Sequence, residues 1–188
     1  MTGRILRGLA VLALASLPFE AVAQETMVWS VIACVHSKIS VPPGLHCRTT
    51  QNYAGGHFGW AAGPGGEFRR WSATGDIGGV KYFYHLNEAT SLGASIGAGG
   101  SLEEVIKADL ERGKETRDYS ALSNRGGVDF LTFTGATGDA CVGIRRYGPS
   151  MGAGFQWILA GVRCEPRGRP ITDAEIDRFI AGATYRGT

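Results

Sequence analysis

After its first two dozen residues this chain has no long apolar run. A helix needs ~20 predominantly apolar residues to cross a bilayer, and no stretch beyond residue 23 supplies them. The chain has no excess of either charge, with 19 Lys and Arg against 17 Asp and Glu. That balance excludes the basic footprint of a nucleic-acid-binding domain. Histidine is scarce: His36, His46, His57 and His85 are all there is. An α/β-hydrolase triad places its histidine after the nucleophile in the chain. Any serine beyond residue 85 therefore lacks the histidine that order requires. There is no Gly-Lys-Ser/Thr and no complete G-x-G-x-x-G, so the phosphate-loop fingerprints are missing too.

What is present begins with an export signal. Arg4 and Arg7 precede a short apolar core at Leu9–Leu17, and Ala21-Val22-Ala23 has the small-x-small form of a cleavage site. Residues 1–23 are expected to be removed before Gln24, leaving 24–188 as a single domain without a membrane span. No cysteine sits at the cut to carry a lipid, and no Arg-Arg pair precedes the core. The expected location is the periplasm or the extracellular space. The 29 glycines are about twice the usual ~7% share and favour turns and short strands. Four cysteines in an exported chain suggest two bridges.

The most informative stretch is 128–164. Val128–Thr134 and Cys141–Tyr147 are rich in β-branched and aromatic residues. They flank the turn cluster Gly135-Ala136-Thr137-Gly138-Asp139. A third run, Phe155–Cys164, follows a glycine-rich loop. Together they predict a three-stranded antiparallel meander. If Met151–Gly154 is a loop closed by Ser150 opposite Phe155, Tyr147 faces Ile158 and Arg145 faces Ala160. Gly143 then faces Val162, and Cys141 faces Cys164. A shift of one or two residues is also open to that loop. Opposed residues have Cβ atoms roughly 4.5–5.5 Å apart, within reach of a disulfide. A Cys141–Cys164 bridge is expected, with free buried thiols as the alternative.

Nearest-neighbour pairing leaves Cys34 with Cys47 across the turn at Pro42-Pro43-Gly44. Met27–His36 reads as a strand. His36 and His46 beside these cysteines raise a zinc reading. The spacing fits no ligand pattern, and on a strand His46 and Cys47 point to opposite faces. A bridge is expected and no metal. Residues 48–79 mix glycine with aromatics, and Gly63-Pro64-Gly65-Gly66 predicts a hairpin. Arg69, Arg70 and Trp71, beside Trp60, are candidates for an anion- or sugar-binding patch. Arg145, Arg146 and Tyr147 are a second candidate group. Adjacent strand residues face opposite ways, so at least one arginine of the pair should point toward the helix-covered side and need a carboxylate or carbonyl partner. Val80–Leu86 is a further strand, carrying His85.

Two helices are expected. Ser101 and Glu104 form a capping box ahead of Leu102, Val105, Ile106 and Leu110, with Gly113 as a stop. Thr172 and Glu175 form a second box ahead of Ile176, Phe179, Ile180 and Ala183. The glycine-rich loop before the first helix holds a literal G-x-S-x-G at Gly93–Gly97. Another lies at Gly148–Gly152, around Ser150. Lys114–Arg125 reads as a polar surface connection. The C-terminal pattern is CVGIRRYGP, then a strand ending in Cys, then GRPITDAEIDRFIAG. It resembles small exported bacterial proteins of unknown function over the last third of the chain. That resemblance implies export and bridged cysteines, and no activity.

The resulting expectation is an α+β domain. An antiparallel sheet of six to eight strands in consecutive hairpins carries one internal and one C-terminal helix, with two disulfides. The functional expectation is a non-catalytic binding or interaction module of the cell envelope. Its partner is an unknown protein or a small polar ligand, and no cofactor is implied. The alternative is a hydrolase-like enzyme with Ser95 as nucleophile and an N-terminal-half histidine, His85 foremost, as base.

Overall fold

The computed structural model describes residues 28–54, 66–111 and 114–187. The signal segment 1–23, Trp60, the first strand and turn of the hairpin expected near residues 57–66, and the Gly113 stop lie outside this range, Gly66 apart. Six strands come first: β1 (Trp29–Ile32), β2 (Ile39–Ser40), β3 (His46–Thr50), β4 (Tyr53–Ala54), β5 (Glu67–Ile77) and β6 (Val80–Ala89). Then α1 (Leu102–Val105) runs into a π-type turn at Ile106–Leu110. Next come β7 (Ser123–Arg125), β8 (Val128–Thr134), β9 (Ala140–Tyr147), β10 (Ser150–Met151), β11 (Gly154–Phe155) and β12 (Trp157–Cys164). The helix α2 (Asp173–Gly182) and β13 (Thr184–Tyr185) end the described chain.

Nine of these strands form one antiparallel sheet, in the order β1-β3-β5-β6-β12-β9-β8-β7 with β4 beside β5. The small pairs β10-β11 and β13-β2 stand apart from it. The strand total exceeds the six to eight expected, because β2, β4, β7, β10, β11 and β13 span only two or three residues each. Runs this short carry no alternation to read. β7 lies within the stretch expected to be a plain surface connection. It pairs with β8 around Gly126 and Gly127, both at positive φ.

The C-terminal meander has the expected register. Tyr147 faces Ile158, Arg145 faces Ala160, Gly143 faces Val162 and Cys141 faces Cys164. Ser150 faces Phe155, and Met151 also pairs with Gly154, so the loop tightens to Gly152 and Ala153. Both expected disulfides are present, Cys34–Cys47 and Cys141–Cys164. One local expectation fails. Cys34–His36 is a 3-10 turn following β1, not a continuation of the strand.

Alternation along the strands gives the sheet two apolar faces. One carries Leu131, Phe133, Ile158, Ala160 and Val162 against Leu102, Val105, Ile106 and Leu110 of the first helix and its turn. Gly143 lets that helix sit close, since a Cβ there would lie 2.3 Å from Ile106 Cδ1. The other face carries Ala73, Tyr84, Leu86, Val142, Ile144 and Leu159 under Ile176, Phe179, Ile180 and Ala183. Each fully buried aliphatic side chain contributes ~1.5–3 kcal/mol. Both helices start where the sequence places them. Ser101 with Glu104 and Thr172 with Glu175 form complete capping boxes. The result is an antiparallel sheet with a helix on each side. No helix among the described residues is long and apolar enough to cross a membrane.

Candidate functional site

The residues singled out in the sequence do not form one surface. Arg69 and Trp71 share one face of β5, with the guanidinium 4.6 Å from the ring, while Arg70 points to the other. Trp71 is buried and donates its indole N–H to Glu88 (3.2 Å). Glu88 also receives Lys38 (2.7 Å) and the Tyr185 hydroxyl (2.6 Å). That cluster ties β2 and β13 to β6. Arg145 is buried and donates to the carbonyls of Ala98 (3.2 Å) and Gly100 (2.7 Å), pinning the glycine-rich loop to the sheet. Arg146 donates to the carbonyl of Ile180 in α2 (3.1 Å). Buried Arg145 thus has the carbonyl partners that burial demands, and the partly buried Arg146 has one as well. Tyr147 packs on Phe155, centroids 4.5 Å apart. Ser150 sits in a hairpin end, as expected. His36 and His46 are exposed, and the neighbouring cysteine sulfurs are joined to each other.

A different set converges on the sheet face that carries α1. Arg48, Ser72, His85, Ala160, Arg145 and Asp129 lie directly opposite one another across β3, β5, β6, β12, β9 and β8. Ser72 and His85 are buried, and Asn87 is buried opposite Arg70 in the next row. Arg70 Nη2 lies 3.4 Å from His85 Nδ1. A guanidinium is always protonated and only donates, so Nδ1 faces it as the acceptor. The ring proton then sits on Nε2. Burial first, then the Arg70 and Arg48 charges, hold the His85 pKa well below the usual 6.5. His85 is therefore neutral, with its Nε2–H as a donor.

Three buried polar atoms of this row have no hydrogen-bond partner among the described residues: His85 Nε2 and the Ser72 hydroxyl at its β5–β6 end, and Arg145 Nε on β9. Trp29 stands over the β5–β6 end, its ring centroid 6.1 Å from that of His85, with the exposed Arg48 guanidinium 4.4 Å from the indole centroid. The row is rich in donors, with hydroxyl, imidazole N–H and guanidinium groups, and it suits an acceptor. Buried polar groups almost always find partners. His85 was in view from the sequence, but Ser72 and Arg48 were not. The signal for Ser72 is the Gly78-Gly79 turn, both glycines at positive φ, whereas Arg48 joins the row only through the pairing of β3 with β5. A two-residue Gly-Gly hairpin sets Ser72 opposite His85. Ser95 lies instead in the glycine-rich loop, beside the Ile96–Phe155 bridge.

A cavity of about 200 Å³ opens on the other face, under α2. Tyr82, Tyr84, Arg163, Arg178 and Phe179 line it, with Pro42 and Gly182. Compared with protein-family models, curated proteins and solved structures, the chain matches none.

Proposed function

We propose that this chain is an exported, non-catalytic binding module that recognises a small anionic ligand at the donor row of β3, β5 and β6. The observation that supports this is the buried pair of unspent donors, His85 Nε2–H and the Ser72 hydroxyl, beside the exposed Arg48. An oxyanion of a carboxylate or phosphate supplies the acceptors these groups lack. Trp29 lies beside this pair, on a four-residue strand paired only with β3 among the described residues. Two disulfides suit an oxidising compartment, and with the signal-like N-terminus they support export. The hydrolase alternative loses support from the state of His85, whose Nδ1 accepts from Arg70 and whose Nε2 holds the proton.

The test is titration with inorganic phosphate and citrate, followed by NMR of the His85 side-chain nitrogens. A saturable shift at Nε2, weakened about tenfold in Arg48→Ala, supports the reading. An Nε2 resonance unmoved by either anion ends it.

A further inference from the structure

The cavity beneath α2 has the properties of a second, separate ligand site. Its size comes first. An enclosed apolar cavity of about 150 Å³ already holds benzene, and sites for drug-sized ligands start near 300 Å³. At about 200 Å³ this one suits a single ring with a small substituent. Its walls come next. Tyr82 and Tyr84 stack 11° from parallel, with centroids 6.3 Å apart. Phe179 tilts toward both, at 6.4 and 5.5 Å. Gly161 makes this packing possible, because a Cβ there would lie 2.9 Å from Tyr84 and 3.3 Å from Phe179. The ring faces offer offset and edge-on contacts to another ring.

Charge selects the substituent. Arg163 is buried, at 8% exposure. Its Nη1 donates to the Glu175 carbonyl (3.0 Å) and its Nη2 to the Glu165 carboxylate. Its Nε–H is buried with no acceptor among the described residues. Glu165 and Glu175 are each also paired with Arg169. Two arginines and two carboxylates thus neutralise each other. Arg178 is then surplus positive charge at the cavity, with no ion pair among the described residues. No Asp or Glu lines the space. A sugar would need acceptors for its hydroxyls, and apart from the tyrosine oxygens no side chain here provides one. Rings, donors and net positive charge together define one ligand class.

We infer that the cavity between α2 and the sheet binds a single-ring aromatic carboxylate, its ring among Tyr82, Tyr84 and Phe179 and its carboxylate toward Arg163 and Arg178. Gly182 lies at the rim, where a Cβ would meet nothing within 4 Å. A larger side chain there has room beside the lining residues without clashing with the fold.

The experiment uses benzoate and benzyl alcohol as probes against the whole exported chain, read by NMR shifts at Tyr82, Tyr84, Phe179 and Gly182. Benzoate is expected to saturate at millimolar concentration, and benzyl alcohol to bind about tenfold more weakly. Arg178→Ala should cost benzoate about tenfold and leave benzyl alcohol unchanged. Gly182→Leu should abolish both while keeping the wild-type circular dichroism and melting temperature. Arg48→Ala should leave benzoate binding intact, which separates this site from the donor row. Absence of saturable binding overturns the inference. So does binding that survives both Gly182→Leu and Arg178→Ala, or that Arg48→Ala removes.

Discussion

Arg146, on β9, donates to the carbonyl of Ile180 in the last turn of α2, 3.1 Å away. A helix C-terminus carries partial negative charge and leaves its last carbonyls without partners inside the helix. The guanidinium answers both needs and ties the end of α2 to the sheet. The start of α2 is held separately, by the Arg163, Glu165, Arg169 and Glu175 network.

Replacing Arg146 with Met keeps much of the stem and removes the donor. A hydrogen bond to a charged group contributes ~1.5–3 kcal/mol, and Arg146→Met is expected to cost that much. Chemical denaturation measures the loss. Hydrogen exchange should speed up at the amides of Phe179 and Ile180 before it does in β9.

Acid should destabilise the protein in two steps. His85 has a depressed pKa in the folded state. Below pH ~6.5 the unfolded chain takes up a proton there that the native state refuses, so stability falls by up to ~1.4 kcal/mol per pH unit. The contribution is complete above that pH. His85→Gln should flatten this limb. Glu175 is held down to about 2, first by the Thr172 backbone N–H and then by its hydroxyl, with Arg163 and Arg169 nearby. Its contribution is complete above pH ~4.5 and is lost as pH falls toward 2. Glu175→Gln should flatten only this lower limb. Urea midpoints measured from pH 8 to pH 2 check both.

The two disulfides should open in order. Cys141 and Cys164 are buried, whereas Cys34 is half-exposed. Under limiting reductant, Cys34 and Cys47 should be alkylated first, as read by peptide mass spectrometry. Replacing both Cys141 and Cys164 with Ala should cost ~3 kcal/mol, the chain-entropy value for a loop of this length. Simultaneous alkylation of all four cysteines would contradict the order.

Gly154 is the point where the hairpin tip meets the glycine-rich loop. A Cβ there would lie 2.4 Å from the backbone oxygen of Ile96, and backbone yields less than a side chain does. Gly154→Ala should cost ~1–3 kcal/mol and break the paired bonds between Ile96 and Phe155, both 2.8 Å. By contrast, Gly182→Ala should be nearly neutral. Thermal melts of the pair test the contrast.

The parts of the fold legible in the sequence are those fixed by local chemistry. Capping boxes, turn glycines and the cysteine pair that locks one hairpin register are all short-range signals. The order of strands in the sheet is not such a signal. Nothing in 80–89 announces that β6 will pair with β12. The candidate sites suffered for the same reason. Arg48, Ser72 and His85 come from three strands and meet only through register. Tyr82, Tyr84, Arg163 and Phe179 come together only once α2 docks. Arg145 and Arg146 were visible as charges, but their carbonyl partners lie across tertiary contacts.

The seam between β6 and β12 joins residues from two distant parts of the chain along eight opposed pairs. On one side of it, β1, β3, β5 and β6 follow in sequence; on the other lie β7, β8, β9 and β12. Each half is a local meander, and each leaves one long edge bare until the other arrives. Bare edges invite pairing with foreign strands. An N-terminal half standing alone would leave the β6 edge exposed. Two fragments divided within the connection between α1 and β7 should recognise each other through that same edge. The native sheet is two half-sheets joined along one seam, and opening that seam would bare two long strand edges at once.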